Sequence, residues 1–386
     1  MDSALEALDR KGNLQHALTL YNPLGVAERV VHFTPHTADR RYAALFEAHR
    51  IDVVPYLSAP ANARIRIASM LPWTLWSVIR KIRAARIDVI RGRLPYFGSL
   101  LGCLAGRILG VPSVVSLGGD NRLPQRLEGR YYFGSKLLSY GIEHLVLLLC
   151  NVIVVPNEFT RRYVATVIGE RRAAAKTELI PWAVSAAPEV APAEAQAALV
   201  EAGFRHEVPL VLIVGHLNRY KFATEMFEVA VQVTRRRRGQ VQFAFCGDGP
   251  LRAAGEQRLA GVEGARILGW QSNDVVRRLM AAAAVVVVPM SGFVLLEAAS
   301  AGKPVITSNL EWHSELVTDG ITGWLIEPTD VAGWSVRIED ALDRRDVAAA
   351  IGRRLGQRFR EHYRSDVVLA READLYTRLA AGRSAT

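Results

Sequence analysis

Two α/β domains, each a doubly wound parallel sheet wrapped by helices and facing the other across a cleft, are the architecture this sequence predicts. Three observations point there. Short β-rich runs alternate with helix-like segments along the whole chain, the pattern of successive strand–helix–strand units. Near the middle the alternation is interrupted by SAAPEVAPAEAQAALVEAGFRHEVP, an Ala- and Pro-rich stretch that reads as a linker with one helix. The length of 386 residues, half of them apolar, suits two cores better than one. The resulting boundaries are 1–185 for a first domain, 186–364 for a second, and 365–386 for a C-terminal helix packing back toward the first.

Taken in order, Met1–Thr19 is a polar, helix-like lead-in without a secretory signal. The strand candidates of the first half are RVVHFTP, IDVVPYL, IDVIRGR, PSVVSLGG, NVIVVPN and TELIPWAV. Those of the second half are PLVLIVGHL, VQFAFCG, ARILGW, AAVVVVPM, KPVITS and TGWLIEP. Each is β-rich and bounded by helical or turn residues. Between strands, LPWTLWSVIRKIRAAR joins Trp73 and Trp76 to Arg80, Lys81, Arg83 and Arg86. That composition fits a helix lying on an anionic bilayer, and equally a surface helix with a solvated basic face. The longest apolar run, Leu137 to Pro156, is broken by Glu143, His144 and Asn151. It reads as a buried helix running into a strand rather than a membrane span.

The net charge of +10 favours phosphate-bearing partners: a nucleotide, a nucleic acid or an anionic membrane face. RRRRG at 235–239 closes a helix, where the dipole favours cations, and has no interleaved aromatics, which argues against nucleic acid. Cys103, Cys150 and Cys246 lie far apart with no CxxC spacing, so neither a disulfide framework nor a zinc site is indicated, and a reducing cytoplasm is the expected compartment.

Ligands of doubly wound sheets bind beyond the carboxyl ends of the strands. In VGHLNRYKF a strand ends at Gly215, and Lys221 follows six residues later, close enough to point back as a phosphate counter-charge. FCGDGPL is a tight glycine turn, read mainly as structural. In PMSGFVLLE, Ser291 and Gly292 open a helix whose free N–H groups can hold a diphosphate, and Glu297 lies about a turn and a half further in. An acid among Leu295, Leu296, Ala298 and Ala299 has few water-facing neighbours and needs a partner, which a ligand could supply. His313 and Glu315 suggest an acid/base pair, but two residues apart on a helix they do not share a face, so a polar helix start at the cleft rim is preferred.

The order VGHLNRYK, GDGPL, LGWQSNDVVRRLMAAAAVVVVP, SGFVLLEAASAGKPVI and SELVTDGITGWLIEPTD resembles the retaining glycosyltransferases of family 4, which have the GT-B fold; the likeness covers nearly all of 210–330. In the first half it rests on PSVVSLGGD, NVIVVPNEFTRRYV and ELIPWAV. The resemblance implies transfer of a sugar from a nucleotide diphosphate with retained configuration, no tightly bound cofactor and no metal. It implies Lys221 as the lysine that neutralises the leaving diphosphate, and Glu297 as the second glutamate of an E-x7-E motif, binding the ribose. Gly215, His216, Ser291, Gly292, Phe293 and Val294 become the remaining donor-binding positions. Asp120, with Asn121 and Arg122, sits at a strand end as the acceptor-side candidate, and Lys221 and Asp120 are the expected catalytic residues. The acceptor is expected to be a glycan, a lipid-linked sugar or a small molecule, in cell-surface glycan or glycolipid synthesis, at the inner face of the cell membrane or in the cytoplasm. A nucleotide-sugar epimerase and a catalytically silent nucleotide-binding relative are the alternatives.

Four departures accompany the resemblance. The first glutamate of E-x7-E falls at Pro289, in a loop shortened by about four residues; that carboxylate normally holds the donor sugar. His216 stands where an arginine is expected, and Gly118 where many members have a histidine. At the start, RVVHFTP looks like the family's second strand rather than its first.

Overall fold

The computed structural model describes residues 18, 21–34, 43–55, 71–129, 131–184, 189–290 and 292–384; the rest of the lead-in, Ser291 and linker residues 185–188 lie outside them. It divides into two compact units, Met1–Pro181 with Asp366–Thr386, and Trp182–Ser365.

In the first unit β1 (Val30–Thr34) and β2 (Ile51–Pro55) form a parallel pair. A separate four-stranded parallel sheet has the order β3-β4-β5-β6, from Ile90–Arg93, Ser113–Ser116, Val152–Val155 and Thr177–Leu179. The helix Phe97–Leu109 lies close against this sheet because it carries glycine where bulk would collide. A Cβ on Gly106 would stand 2.6 Å from the Val111 carbonyl oxygen, and one on Gly102 would stand 3.0 Å from the Ile90 side chain. Gly110 then ends the helix in the left-handed region, at φ 69.

The apolar run from Leu137 divides into the helix Lys136–Leu149 and β5. Ser135 caps the helix, accepting from the Leu138 amide, and Ile142, Glu143, Val146 and Leu147 face the core. Its other side is open: Leu137 is 87% exposed, and Leu138 and Leu145 are also exposed, so a helix expected to be buried is buried on one face only. Among the described residues no helix is long and apolar enough to cross a membrane. The helix Leu71–Ala84 buries Thr74, Val78 and Ile82, spaced four apart on one face. Trp73 and Trp76 face outward at 63% and 49% exposure, their rings 5.3 Å apart, with the Arg80 guanidinium 4.8 Å from the Trp76 ring.

The C-terminal helix Ser365–Ser384 is tied to the strands of this unit. Glu372 meets Arg91 of β3 at 2.6 Å in a largely buried pair, and Arg378 meets Glu178 of β6 at 2.6 Å. Arg383 adds Asp88 at 3.3 Å.

The second unit is one six-stranded parallel sheet, β7 (Leu210–Val214), β8 (Gln242–Cys246), β9 (Ala265–Gly269), β10 (Val285–Val288), β11 (Val305–Ser308) and β12 (Trp324–Ile326), in the order β12-β11-β10-β7-β8-β9. Its central strands are buried along their whole length, as their near-continuous Val, Ile, Leu and Phe content requires. Phe243, Phe245, Met226, Phe227 and Trp334 fill one side of the core. The basic run at 235–238 is partly neutralised within the unit. Arg237 makes two bonds of 2.6 Å to Asp343, and Arg236 meets Glu339 at 3.1 Å.

Candidate active site

The strand order of the second unit contains a reversal. From β7 the chain builds outward through β8 and β9, then returns to lay β10 on the opposite side of β7. Loops leaving β7 and β10 therefore diverge at their carboxyl ends, which opens the crevice where doubly wound sheets bind ligands. Both loops carry the residues singled out from the sequence.

After β7, Gly215 and His216 lead into a short 3₁₀ turn, Arg219–Lys221. Asn218 shapes it: its side-chain oxygen accepts from the Lys221 amide at 2.9 Å, and its carbonyl accepts from Ala223. Phe222 follows in the left-handed region at φ 54, unusual for a bulky residue, and so turns the chain sharply into the helix Ala223–Arg237. The Lys221 ammonium stands 5.0 Å from the Tyr220 ring, and burial lowers its pKa, an effect the Glu311 carboxylate opposes. His216 is exposed.

The GDGPL turn is what holds this loop. A Cβ on Gly247 would stand 1.8 Å from the Gly215 carbonyl oxygen, and one on Gly249 would stand 2.5 Å from that of Leu217. Leu217 donates to the Asp248 carbonyl, and Leu251 donates to that of Leu217. Backbone touches backbone, so these glycines serve packing.

After β10, Pro289 and Met290 lead through Ser291, outside the described residues, to Gly292. The helix Phe293–Ser300 begins there with no side-chain cap, leaving its start available to an anion. Gly292 is required by Trp182: a Cβ on it would lie 2.9 Å from the indole. Trp182 in turn packs against Phe293, with centroids 5.6 Å apart, and edge-on against buried Trp312 at 5.2 Å. Sequence reading missed this aromatic wall, because Trp182 is remote in the chain from the loop it braces.

Glu297 sits on that helix among buried Leu295, Leu296, Ala298 and Ala299. Among the described residues its carboxyl has no hydrogen-bond or ion-pair partner, and burial pushes its pKa up to about 7. A brace bonded to nearby amides would show the opposite shift.

The remaining candidates are already engaged. Asp120 Oδ1 accepts from the amides of Arg122 and Leu123 at 2.8 and 3.1 Å, and Oδ2 from Arg126 at 3.0 Å. It fixes the turn after β4, with neither oxygen idle. Beside it, fully buried Glu143 takes Arg122 at 2.5 Å and the Tyr163 hydroxyl, a polar knot with no local sequence signature. His313, expected at a polar rim, is fully buried, with Nδ1 2.9 Å from the Thr307 hydroxyl. It braces β11 rather than pairing with Glu315. Among the described residues no three His, Cys, Asp or Glu side chains gather into a metal-binding group.

The fold has many counterparts among solved structures. Anabaena HepE in complex with UDP-glucose superimposes with a TM-score of 0.75 over 94% of this chain and 95% of that one, at 17% identity. Sucrose-phosphate synthase from Thermosynechococcus elongatus gives 0.70 over 95% and 93%, at 18% identity. Both are GT-B structures of two Rossmann-like domains. Residues 18–187 match the family model "Glycosyltransferase Family 4", and residues 208–344 match "Glycosyl transferases group 1". This chain belongs to the family 4 type of GT-B glycosyltransferases.

Among curated relatives, alpha-D-kanosaminyltransferase of Streptomyces kanamyceticus is 26% identical over 62% of this chain and 64% of its own length. Alpha-maltose-1-phosphate synthase of Mycobacterium tuberculosis is 28% identical over 49% and 53%. The chain thus spans less than two thirds of the curated relatives it matches.

Proposed function

We propose that this protein transfers a sugar, with retention, from a nucleotide diphosphate sugar held by its second unit to a hydroxyl-bearing acceptor. The observation that carries the reading is Glu297, an acid with no partner among the described residues, on the helix that starts at the reversal point of the sheet. A half-buried carboxyl with no partner among the described residues is costly to keep charged, and ribose hydroxyls donating to it would offset that cost. In this arrangement the backbone at Gly215 and His216, the Lys221 ammonium and the helix start at Gly292–Val294 surround the diphosphate, and Glu297 takes the ribose. With Pro289 at the first-glutamate position, the sugar is left to backbone N–H groups at Gly292–Val294.

Chemically, the step breaks the bond between the anomeric carbon and the diphosphate oxygen and forms one from that carbon to the acceptor oxygen, whose hydroxyl proton passes to the departing diphosphate. Negative charge grows on the departing diphosphate, where Lys221 and the oriented amides stabilise it. Asp120, with both oxygens taken, is assigned the holding of the acceptor-side loop and no proton transfer.

UDP is the first nucleotide to try, since the similar Anabaena structure holds UDP-glucose. One relative is named for moving a kanosaminyl group and another for making maltose 1-phosphate, so amino-sugar donors belong in the donor panel, and sugar phosphates, glycans and a lipid extract in the acceptor panel. Incubation with UDP-, GDP- and ADP-sugars should yield an α-linked product from an α-linked donor. Conversion of donor with no acceptor consumed would instead indicate an epimerase, and no turnover of any donor a silent relative.

The outward Trp73 and Trp76, with Arg80 and Lys81 on the same helix, support peripheral contact with an anionic membrane face. Vesicles containing phosphatidylglycerol should bind the protein in a salt-sensitive way, and Trp73→Ala with Trp76→Ala should cut that binding several-fold. Equal partitioning to neutral and anionic vesicles would sink the membrane assignment.

A further inference from the structure

Lys221 is governed from a loop that carries no part of the donor-binding pattern. The turn after β11 is tightly held: Trp312 and His313 are buried, the Asn309 amide donates to the Ile326 carbonyl, and the His313 amide donates to that of Leu310. Within it Glu311 adopts the left-handed region at φ 49, a conformation disfavoured for a side chain of this kind. Held so, its carboxylate crosses to the loop after β7 and accepts from the Tyr220 hydroxyl at 3.2 Å. The face of that Tyr220 ring is the surface over which the Lys221 ammonium rests, 5.0 Å from its centre.

We propose that Glu311 and Tyr220 are positioning residues that aim the Lys221 ammonium and keep it charged for a diphosphate. Tyr220 offers a ring face, and a cation over such a face is attracted to it. Glu311 fixes that ring through its hydroxyl and adds negative charge close by. Burial alone would drive Lys221 toward its neutral form, and Glu311 is the charge that counters it. The only other charged group on the same turn is Arg219, which is exposed. When a diphosphate arrives, its own charge takes over the role of Glu311, so a cation already in place is delivered without reorganisation. The inference rests on the proposed donor site for its purpose, though not for its geometry.

A loop tie and a charge-keeping device respond differently to Glu311→Gln. The amide oxygen of glutamine still accepts from Tyr220, so a tie survives, but the charge is gone. The test is a ¹³C-methyl NMR titration of the reductively methylated protein, with Lys221→Arg identifying the signal. In Glu311→Gln the Lys221 pKa should fall by about one pH unit relative to wild type, in line with loss of a nearby opposite charge. The pH above which UDP binding weakens should move down by the same amount. Glu311→Gly guards against misfolding: glycine suits φ 49, so this variant should melt no lower than wild type while showing the same shift of Lys221. Unchanged Lys221 titration in both variants would overturn the proposal. Wild-type protein that binds no nucleoside diphosphate would instead count against the donor site, and the NMR titration would still decide the role of Glu311.

Discussion

Lys221→Ala should transfer sugar roughly a hundredfold more slowly than wild type, or worse, since removal of one charge-stabilising donor from a site where an anion departs typically costs about that much. The expectation follows from placement. Lys221 rides on a turn fixed by Asn218, backed by the glycine contacts of Gly247 and Gly249, and aimed from below by Tyr220. Burial disfavours its charge, so the fold gains little from it, and the variant should melt close to wild type. The loss should appear in kcat and kcat/KM together, the signature of an interaction that strengthens as charge develops. Near-normal turnover in this variant would remove the lysine from the mechanism.

Glu297→Gln should make the protein more stable and less functional. In the folded chain the carboxyl is raised to about 7 by burial, above the value an unfolded glutamate would have. The folded state therefore holds its proton over a pH range in which the unfolded state has lost it. This contribution to stability is full below the ordinary glutamate range and is lost as pH rises through about 7. Glutamine does not titrate, so its advantage over wild type should be small at pH 5 and grow to the order of 2–3 kcal/mol at pH 8, or roughly 5–10 °C in Tm. Thermal melts of both proteins at the two pH values read this directly. A variant less stable at pH 8 would show that Glu297 holds the fold together.

The sheets were legible because runs such as VVVV and LVLIV have one stable destination, a buried parallel strand. Glu297 was legible for the same reason: an acid between four apolar residues is conspicuous. What escaped depends on distance in the chain. Trp182 shapes the turn at Gly292, and Glu311 reaches Tyr220 ninety-one residues away, through contacts that no spacing encodes and that only the strand order creates. Asp120 was visible as a strand-end acid, yet its two amide bonds depend on a local turn geometry that composition does not reveal. The helix from Lys136 misled in another way. It is apolar on nearly every side, so nothing in its pattern marks the face with Leu137 and Leu145 as the outward one.

The most direct test of the donor site is calorimetric titration of UDP, GDP and ADP, each with its 2′-deoxy counterpart, into wild type and Glu297→Gln. A carboxylate that accepts from ribose hydroxyls predicts that the substitution weakens the preferred ribonucleotide by about 1.5–3 kcal/mol, the scale of a charged hydrogen bond, and the deoxyribonucleotide by clearly less. Unchanged affinity for both, in a variant that melts lower than wild type, would contradict it and make Glu297 a structural acid.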